Sequence, residues 1–252
     1  MRIPCCLLLM CSAARMFGVT MEFQSSTNQT ALLELYTSEG CSSCPPAESW
    51  LSQLKTQPKL WKEFVPVAFH VDYWDYLGWN DSFASARFSE RQRDYAATWK
   101  SRSVYTPGFV LDGKEWRGWG GRDSAPKASA KPAGVFTATS TNGTQWTLRF
   151  QPAATAPGKI QFHAALLGFD LTTDVKAGEN RGRKLAHDFV VLALTAAPAN
   201  KSGEILEAAL PLTLSTKLAP KRLGFAAWVT SAAAAPPLQT VGGWLEPKTK
   251  WP

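Results

Sequence analysis

Cys41-Ser42-Ser43-Cys44 is the stretch of this chain best suited to chemistry. Two thiols three positions apart can close a disulfide, and either can resolve a mixed disulfide formed by the other. Pro45-Pro46 follow at once, and prolines are tolerated in a first helical turn because amide donors lack partners there. Ala47, Trp50, Leu51 and Leu54 then recur with helical period before Pro58, which predicts an amphipathic helix with one face in the core. Cys41 thus precedes a helix N-terminus and Cys44 caps it, where free amides and the helix dipole favour a thiolate. Thiol–disulfide exchange is one reading of the pair. A static structural disulfide and half of a zinc site are the others.

Further reactive residues cluster downstream. His70 lies near the end of the apolar run 64–71 and reads as a ligand, a base or a structural strand-end histidine. Asp72-Tyr73-Trp74-Asp75-Tyr76-Leu77-Gly78-Trp79-Asn80-Asp81 alternates rings with carboxylates. At the carboxyl end of a parallel strand such a segment lies where ligands collect, so it reads as a rim receiving a peptide or small substrate, or as a loop folding its rings into a satellite core. Gly178-Glu179-Asn180-Arg181-Gly182-Arg183 reads as an anion or partner site, or as a glycine-bearing hairpin loop. His163 and His187 have no metal-ligand spacing. No metal and no cofactor is expected, and no triad, phosphate loop or paired-carboxylate motif is present.

The elements that must position these residues are legible in outline. Residues 32–36 and 64–71 read as buried strands around the Cys-x-x-Cys helix, a right-handed βαβ unit with a parallel pair. Ser89-Glu90-Arg91-Gln92 has capping-box spacing for a helix to about Lys100, with Tyr95 and Trp99 on its buried face. Arg87, Arg91, Arg93 and Arg102 read as its solvated side. Residues 109–111, the turn Asp112-Gly113 and residues 115–117 form a hairpin. Beyond a Gly-, Lys-, Ala- and Pro-rich stretch at 118–134, short β segments are expected at 135–140, 145–150, 160–167, 187–194, 204–210 and 224–229. Asn142-Gly143 turns the first pair, and the pattern suggests a small antiparallel sandwich.

Composition limits the class. The chain has 252 residues, 45% hydrophobic and 19% charged, which suits a globular protein. The formal charge of +7 comes from scattered Lys and Arg without a nucleic-acid-reading motif, so no nucleic-acid partner is expected. Of five cysteines, Cys5, Cys6 and Cys11 lie in a short apolar start, after Arg2 and ahead of Ser12-Ala13-Ala14. That start resembles an export signal and is too short for an ordinary membrane span. Residues 1–24 are assigned to the signal, with no integral membrane span after its removal. The mature chain then keeps just Cys41 and Cys44, an economy suited to an oxidising, periplasmic or secreted setting.

A strand leading into Cys-x-x-Cys at a helix start, a βαβ unit, and Thr106-Pro107 ahead of a hairpin together resemble the thioredoxin superfamily. The resemblance implies a cis Pro107 packed beside the redox pair and neighbouring backbone that receives an extended peptide. It also implies that Glu34 relays a proton to the resolving cysteine; a strand-end glutamate facing solvent is the alternative. More narrowly, residues 37–46, Val71-Asp72-Tyr73-Trp74-Asp75 and residues 178–183 resemble a bacterial family catalogued as domain of unknown function 1223, secreted and thioredoxin-like. Departures from ordinary thioredoxins are Ser42-Ser43 between the cysteines, prolines after the pair, and no clear closing helix.

The expected architecture is therefore an α/β thioredoxin-like domain at 29–122, a mixed sheet with flanking helices. A linker or reduced helix at 123–134 and an all-β sandwich-like domain at 135–252 follow. The expected activity is exchange on a protein or small-molecule thiol or disulfide. Cys41 attacks, Cys44 resolves, Glu34 relays, and Thr106, Pro107, Tyr73 and Trp74 bind substrate. A non-catalytic binding module with a fixed Cys41–Cys44 staple is the rival, and metal delivery by the two thiolates and His70 a third.

Overall fold

Seven consecutive buried residues, Ala31 to Thr37, form the strand on which the candidate site is built. The computed structural model describes residues 20–121, 124–127, 129–156, 158–214, 220–232 and 235–245; most of the expected export signal, residues 1–19, lies outside them. In chain order the strands are β1 (Met21–Gln24), β2 (Ala31–Thr37), β3 (Phe64–His70), β4 (Gly108–Leu111) and β5 (Lys114–Glu115). Next come β6 (Gly134–Ser140), β7 (Gln145–Pro152), β8 (Gln161–Phe169), β9 (Leu171–Asp174) and β10 (Lys184–His187). The last five are β11 (Val190–Pro198), β12 (Asn200–Ser202), β13 (Ile205–Pro211), β14 (Arg222–Thr230) and β15 (Pro237–Leu245). Two α-helices, α1 (Pro45–Gln53) and α2 (Ala86–Thr98), are present among the described residues.

The eight-stranded sheet has the order β15-β14-β8-β11-β3-β2-β4-β5. It is parallel at β11–β3 and β3–β2 and antiparallel elsewhere. A second, five-stranded antiparallel sheet has the order β1-β6-β7-β13-β12, and β9 and β10 form a separate ribbon. One core lies where α1 and α2 cover β2, β3 and β4 and reaches Ala165, Leu167, Ala226 and Trp228. The other lies between the five-stranded sheet and the β8, β14 and β15 end of the large one.

This arrangement corrects the expected α/β thioredoxin-like domain followed by an all-β sandwich-like domain. Strands make up 45% of the described residues and helices 13%, so the fold is mostly β. Strands from both halves share one sheet. The physical reason is burial on two faces. In β8, Phe162, Ala164 and Leu166 enter the sandwich core, while Ala165, Leu167 and Phe169 enter the other. A strand apolar on both faces needs cover on both, and an isolated two-layer sandwich covers only one. β7 shows the contrast: its buried and exposed residues alternate strictly from Gln145 to Gln151, as befits an outer layer.

Local details differ too. Met21–Gln24, assigned to the end of the export signal, pair with β6 as an edge strand. The segment expected as one strand at 187–194 is divided between β10 and β11, and β15 is an additional strand. Helix α2 begins at Ala86, so Ser89 is inside it rather than at its cap. Ser89 is buried, and its hydroxyl donates to Asp72 Oδ1 at 2.5 Å. The two turns stand as read: Asp112 and Gly113 both have positive φ, the signature of a tight hairpin, and Asn142-Gly143 joins β6 to β7. No helix of the described residues is long and apolar enough to cross a membrane.

Candidate functional site

β2 runs directly into the cysteine loop. Its alternation sends Glu34 and Tyr36 to one face and Leu33, Leu35 and Thr37 to the other. β3 lies parallel in register, with Tyr36 opposite Phe69 and Thr37 opposite His70. The α2 face therefore carries Glu34, Tyr36 and Phe69, and the α1 face carries Thr37 and His70.

At the end of β2, Cys41 and Cys44 are joined in a disulfide, and neither has exposed surface. Cys44 is the N-cap residue of α1, with Pro45 and Pro46 in the first turn. The prolines carry no amide hydrogen, and the amides of Ala47 and Glu48 donate to Cys44 O. The dipole of α1 thus reaches the pair with few free donors. Cys41 Sγ lies 3.3 Å from Ser43 Oγ, and Ser42 and Ser43 are exposed.

The loop joining β9 to β10 covers this turn. Asn180, fully buried, donates through Nδ2 to Glu39 O and Cys41 O, each at 2.9 Å. Its own Oδ1 accepts from Arg183 at 2.7 Å. Glu179 accepts the Ser42 amide at 2.9 Å, and the Ser42 hydroxyl, with that amide second, lowers its carboxyl below the usual range. Residues 178–183 are a hairpin loop, and its contacts are made to the cysteine turn.

Beneath the turn lies a buried polar cluster. His70 Nδ1 is 2.7 Å from Asp81 Oδ2, and Asp81 also accepts the amides of Glu39 and Phe83. His187, at the end of β10, bonds Glu48 through Nδ1 and has Nε2 3.2 Å from Glu39 Oε1. Glu48 Oε1 accepts Thr37 Oγ1 at 2.5 Å, and Glu39 Oε2 accepts Trp79 Nε1 at 2.7 Å. Burial alone would lower both imidazoles; Glu48 and Glu39 outweigh it for His187, pushing it up to about 10. Asp81 does the same for His70, which is raised. Burial would raise Glu48, but His187 prevails and lowers it.

On the opposite face Glu34 is enclosed by donors. Tyr36 and Arg91 Nε reach Oε2 at 2.9 and 2.7 Å, and Tyr95 and Arg91 Nη2 reach Oε1 at 2.6 and 3.0 Å. Arg91 also lies over the rings of Phe69, Tyr95 and Trp228. Burial and the Glu34 charge raise both tyrosines well above their ordinary range. Arg91, read as part of a solvated side, is thus a largely covered ion-pair partner of the buried Glu34.

The substrate-binding candidates do come together. Trp74 Nε1 donates to Thr106 Oγ1 at 2.8 Å, and Tyr73 OH donates to Gln92 Oε1 at 3.1 Å. Gln92 in turn donates to Tyr105 O at 2.7 Å. A Cβ added at Gly40 would meet Trp74 Cβ at 2.9 Å, so a side chain here would displace the indole from the cysteine turn. The Thr106–Pro107 bond is cis, and Pro107 precedes Gly108, which pairs with Tyr36. Tyr73 and Trp74 pack partly on the core, whereas Tyr76 is 79% exposed.

Comparison with known proteins decides the family. Residues 32–230 match the model described as "Protein of unknown function (DUF1223)". The chain belongs to the DUF1223 family. No curated protein matches it. Protein AGR_C_4864 from Agrobacterium tumefaciens is similar in fold, with TM-score 0.61 and 23% identity over 90% of this chain and 98% of that one. HBP35 of Porphyromonas gingivalis is similar as well, with TM-score 0.58 and 14% identity over 88% of this chain and 77% of the other.

Sequence reasoning on this DUF1223 chain named His70 but missed its company. His187 has no metal-ligand spacing in the sequence, yet it meets Glu48 across 139 positions. Glu39, Glu48 and Asp81 carried no separate signal, although Glu39 and Glu48 flank the cysteines. The third reading brought His70 to the sulfurs; its neighbours here are Asp81, Phe83 and His187.

Proposed function

We propose that this DUF1223 protein is an exported thiol–disulfide oxidoreductase acting on a protein or small-molecule thiol. The observation that carries this reading is the Cys41–Cys44 disulfide at the start of α1, with Trp74 against the Gly40 end of its turn and bonded to Thr106, the residue before cis Pro107. In the oxidising direction a substrate thiolate attacks Cys41 Sγ, the S–S bond breaks, and Cys44 leaves with the electron pair and takes up a proton. A second substrate thiolate then attacks the substrate sulfur of the mixed disulfide and releases Cys41, so two electrons pass to the pair. The reducing direction reverses these steps, with Cys41 attacking and Cys44 resolving. Glu34 is not assigned the relay, because its oxygens already accept from Arg91 and two tyrosines. A disulfide accords with export to an oxidising compartment.

Burial of both sulfurs favours a second reading, a fixed staple beneath a binding surface around Tyr73, Trp74, Thr106 and Pro107. The reduction potential separates the two, measured on the full chain with Cys41→Ser and Cys44→Ser as controls. A potential above about −250 mV, with Cys41→Ser abolishing mixed-disulfide trapping by Cys44→Ser, supports exchange. A potential below about −300 mV with no trapping overturns it in favour of the staple.

A further inference from the structure

We propose that Glu48, His70 and His187 form a binding site for a divalent transition-metal ion, with zinc the best match to their chemistry. Each of the three offers one ligand atom, all are buried, and the atoms lie within 4.8 Å of one another. Two imidazoles and a carboxylate are a set that zinc takes at about 2.0–2.2 Å, so Glu48 and His187, hydrogen-bonded to each other here, must part to admit the ion while His70 draws in.

The surroundings are those of a metal site rather than of three residues that happen to meet. Metal-bound histidines present one nitrogen to the ion and the other to an outer carboxylate or carbonyl, which fixes the ring and its tautomer. His70 has Nδ1 on Asp81 Oδ2 at 2.7 Å, which leaves Nε2 to face the cluster. His187 has Nδ1 toward Glu48 and Nε2 toward Glu39 Oε1 at 3.2 Å. Glu48 keeps Thr37 on its second oxygen. The outer groups are anchored in turn, Asp81 by the amides of Glu39 and Phe83 and Glu39 by the Trp79 indole. Each ligand therefore has an outer partner of its own: Asp81 for His70, Glu39 for His187 and Thr37 for Glu48.

Unfilled valences point the same way. Among the described residues, six buried side-chain polar atoms lack a hydrogen-bond partner, and His70 Nε2, His187 Nε2 and Glu39 Oε1 are three of them. His187 Nε2 and Glu39 Oε1 face each other at 3.2 Å, so the atom left wholly without a partner is His70 Nε2, and burying such an atom is costly. An ion bound by His70 Nε2 and His187 Nδ1 fills the first and leaves the His187 Nε2 hydrogen to turn onto Glu39. Three protein ligands are the number found in zinc sites that keep a coordination position open, where structural sites close with four. The ion would tie α1, β3 and β10 together under the cysteine turn. The cysteines are not among its ligands, so the site does not depend on the exchange reading.

The test is metal analysis of the full chain, dialysed against zinc and then against metal-free buffer, together with cobalt spectroscopy. Expected are one zinc per chain, retained in the Cys41→Ser/Cys44→Ser double variant, and at least tenfold weaker binding in Asp81→Asn. His70→Ala and His187→Ala are expected to lose the ion. Should either fail to fold, cobalt in the wild-type chain reads the ligands directly, through visible d–d bands without near-ultraviolet thiolate charge transfer. No retained metal in the folded wild type, retention undiminished in folded His70→Ala or His187→Ala, or loss of metal in the cysteine double variant overturns the proposal. A thiolate charge-transfer band overturns it as well.

Discussion

Glu34 and Glu48 are both buried carboxylates beside β2, one on each face of the sheet, and they are treated in opposite ways. Around Glu34 the donors match the acceptors: a guanidinium and two phenols fill both oxygens. Around Glu48 the cluster holds three carboxylates and two imidazoles, and His70 Nε2 is left without a partner. A filled buried network specifies packing and resists change. A cluster with spare valences is costly unless something else satisfies them. The difference marks the α2 face as scaffold and the α1 face, which carries the cysteine turn, as the working side.

The largest expected effect breaks the filled network. Arg91→Met leaves the Glu34 carboxylate buried without its cation, and urea unfolding is expected to show a loss of about 3–5 kcal/mol. Glu34→Gln combined with Arg91→Met is expected to recover much of that loss, because no unpaired charge remains. The matched change on the other face, Glu48→Gln, keeps an oxygen for Thr37. Measured in chelator-treated protein, it is expected to cost less, about 1–3 kcal/mol. Equal losses from the two single variants would erase the distinction.

His163 sharpens the contrast with a third environment. It is buried in β8, stacked on Trp228, and bonds Thr230 Oγ1 at 3.0 Å. Burial, with help from the Arg91 charge, depresses it to about 3. The unfolded chain then binds the extra proton between about pH 3 and 6.5. The His163 contribution to stability is therefore full above pH 6.5 and falls, as acid is added, by about 1.4 kcal/mol per pH unit. His163→Gln is expected to remove that slope from unfolding curves collected across this range. The smallest effect is at the cover: Asn180→Ala frees two buried carbonyls, with an expected loss of about 1 kcal/mol. It is also expected to make reduction of Cys41–Cys44 by dithiothreitol faster. An unchanged rate would show that the loop does not control access.

Much of the site's frame was legible in residue order. The run into the cysteines, the prolines after them, and the Asp112-Gly113 and Asn142-Gly143 turns are local signals, and each appears where expected. Ser89 misled because capping-box spacing is a local pattern, and the Ser89 hydroxyl found Asp72 instead. Arg91 misled because one charged residue on a helix reads as solvated until its partner is known, and Glu34 is 57 positions away. The two-domain expectation failed on a signal that was present but underweighted: the unbroken apolar run of β8, set beside the alternation of β7.

The sequence by itself determined the strand–cysteine–helix unit, its turns and its apolar strands, since these rest on backbone preference and period within a few residues. Tertiary structure alone decided that strands from both halves share a sheet, because pairing order depends on which buried faces find cover. It alone decided that Asn180 closes the cysteine turn and that His187 meets Glu48 and His70. Such meetings between residues far apart in the chain are set by the packing of whole elements, and no local spacing encodes them.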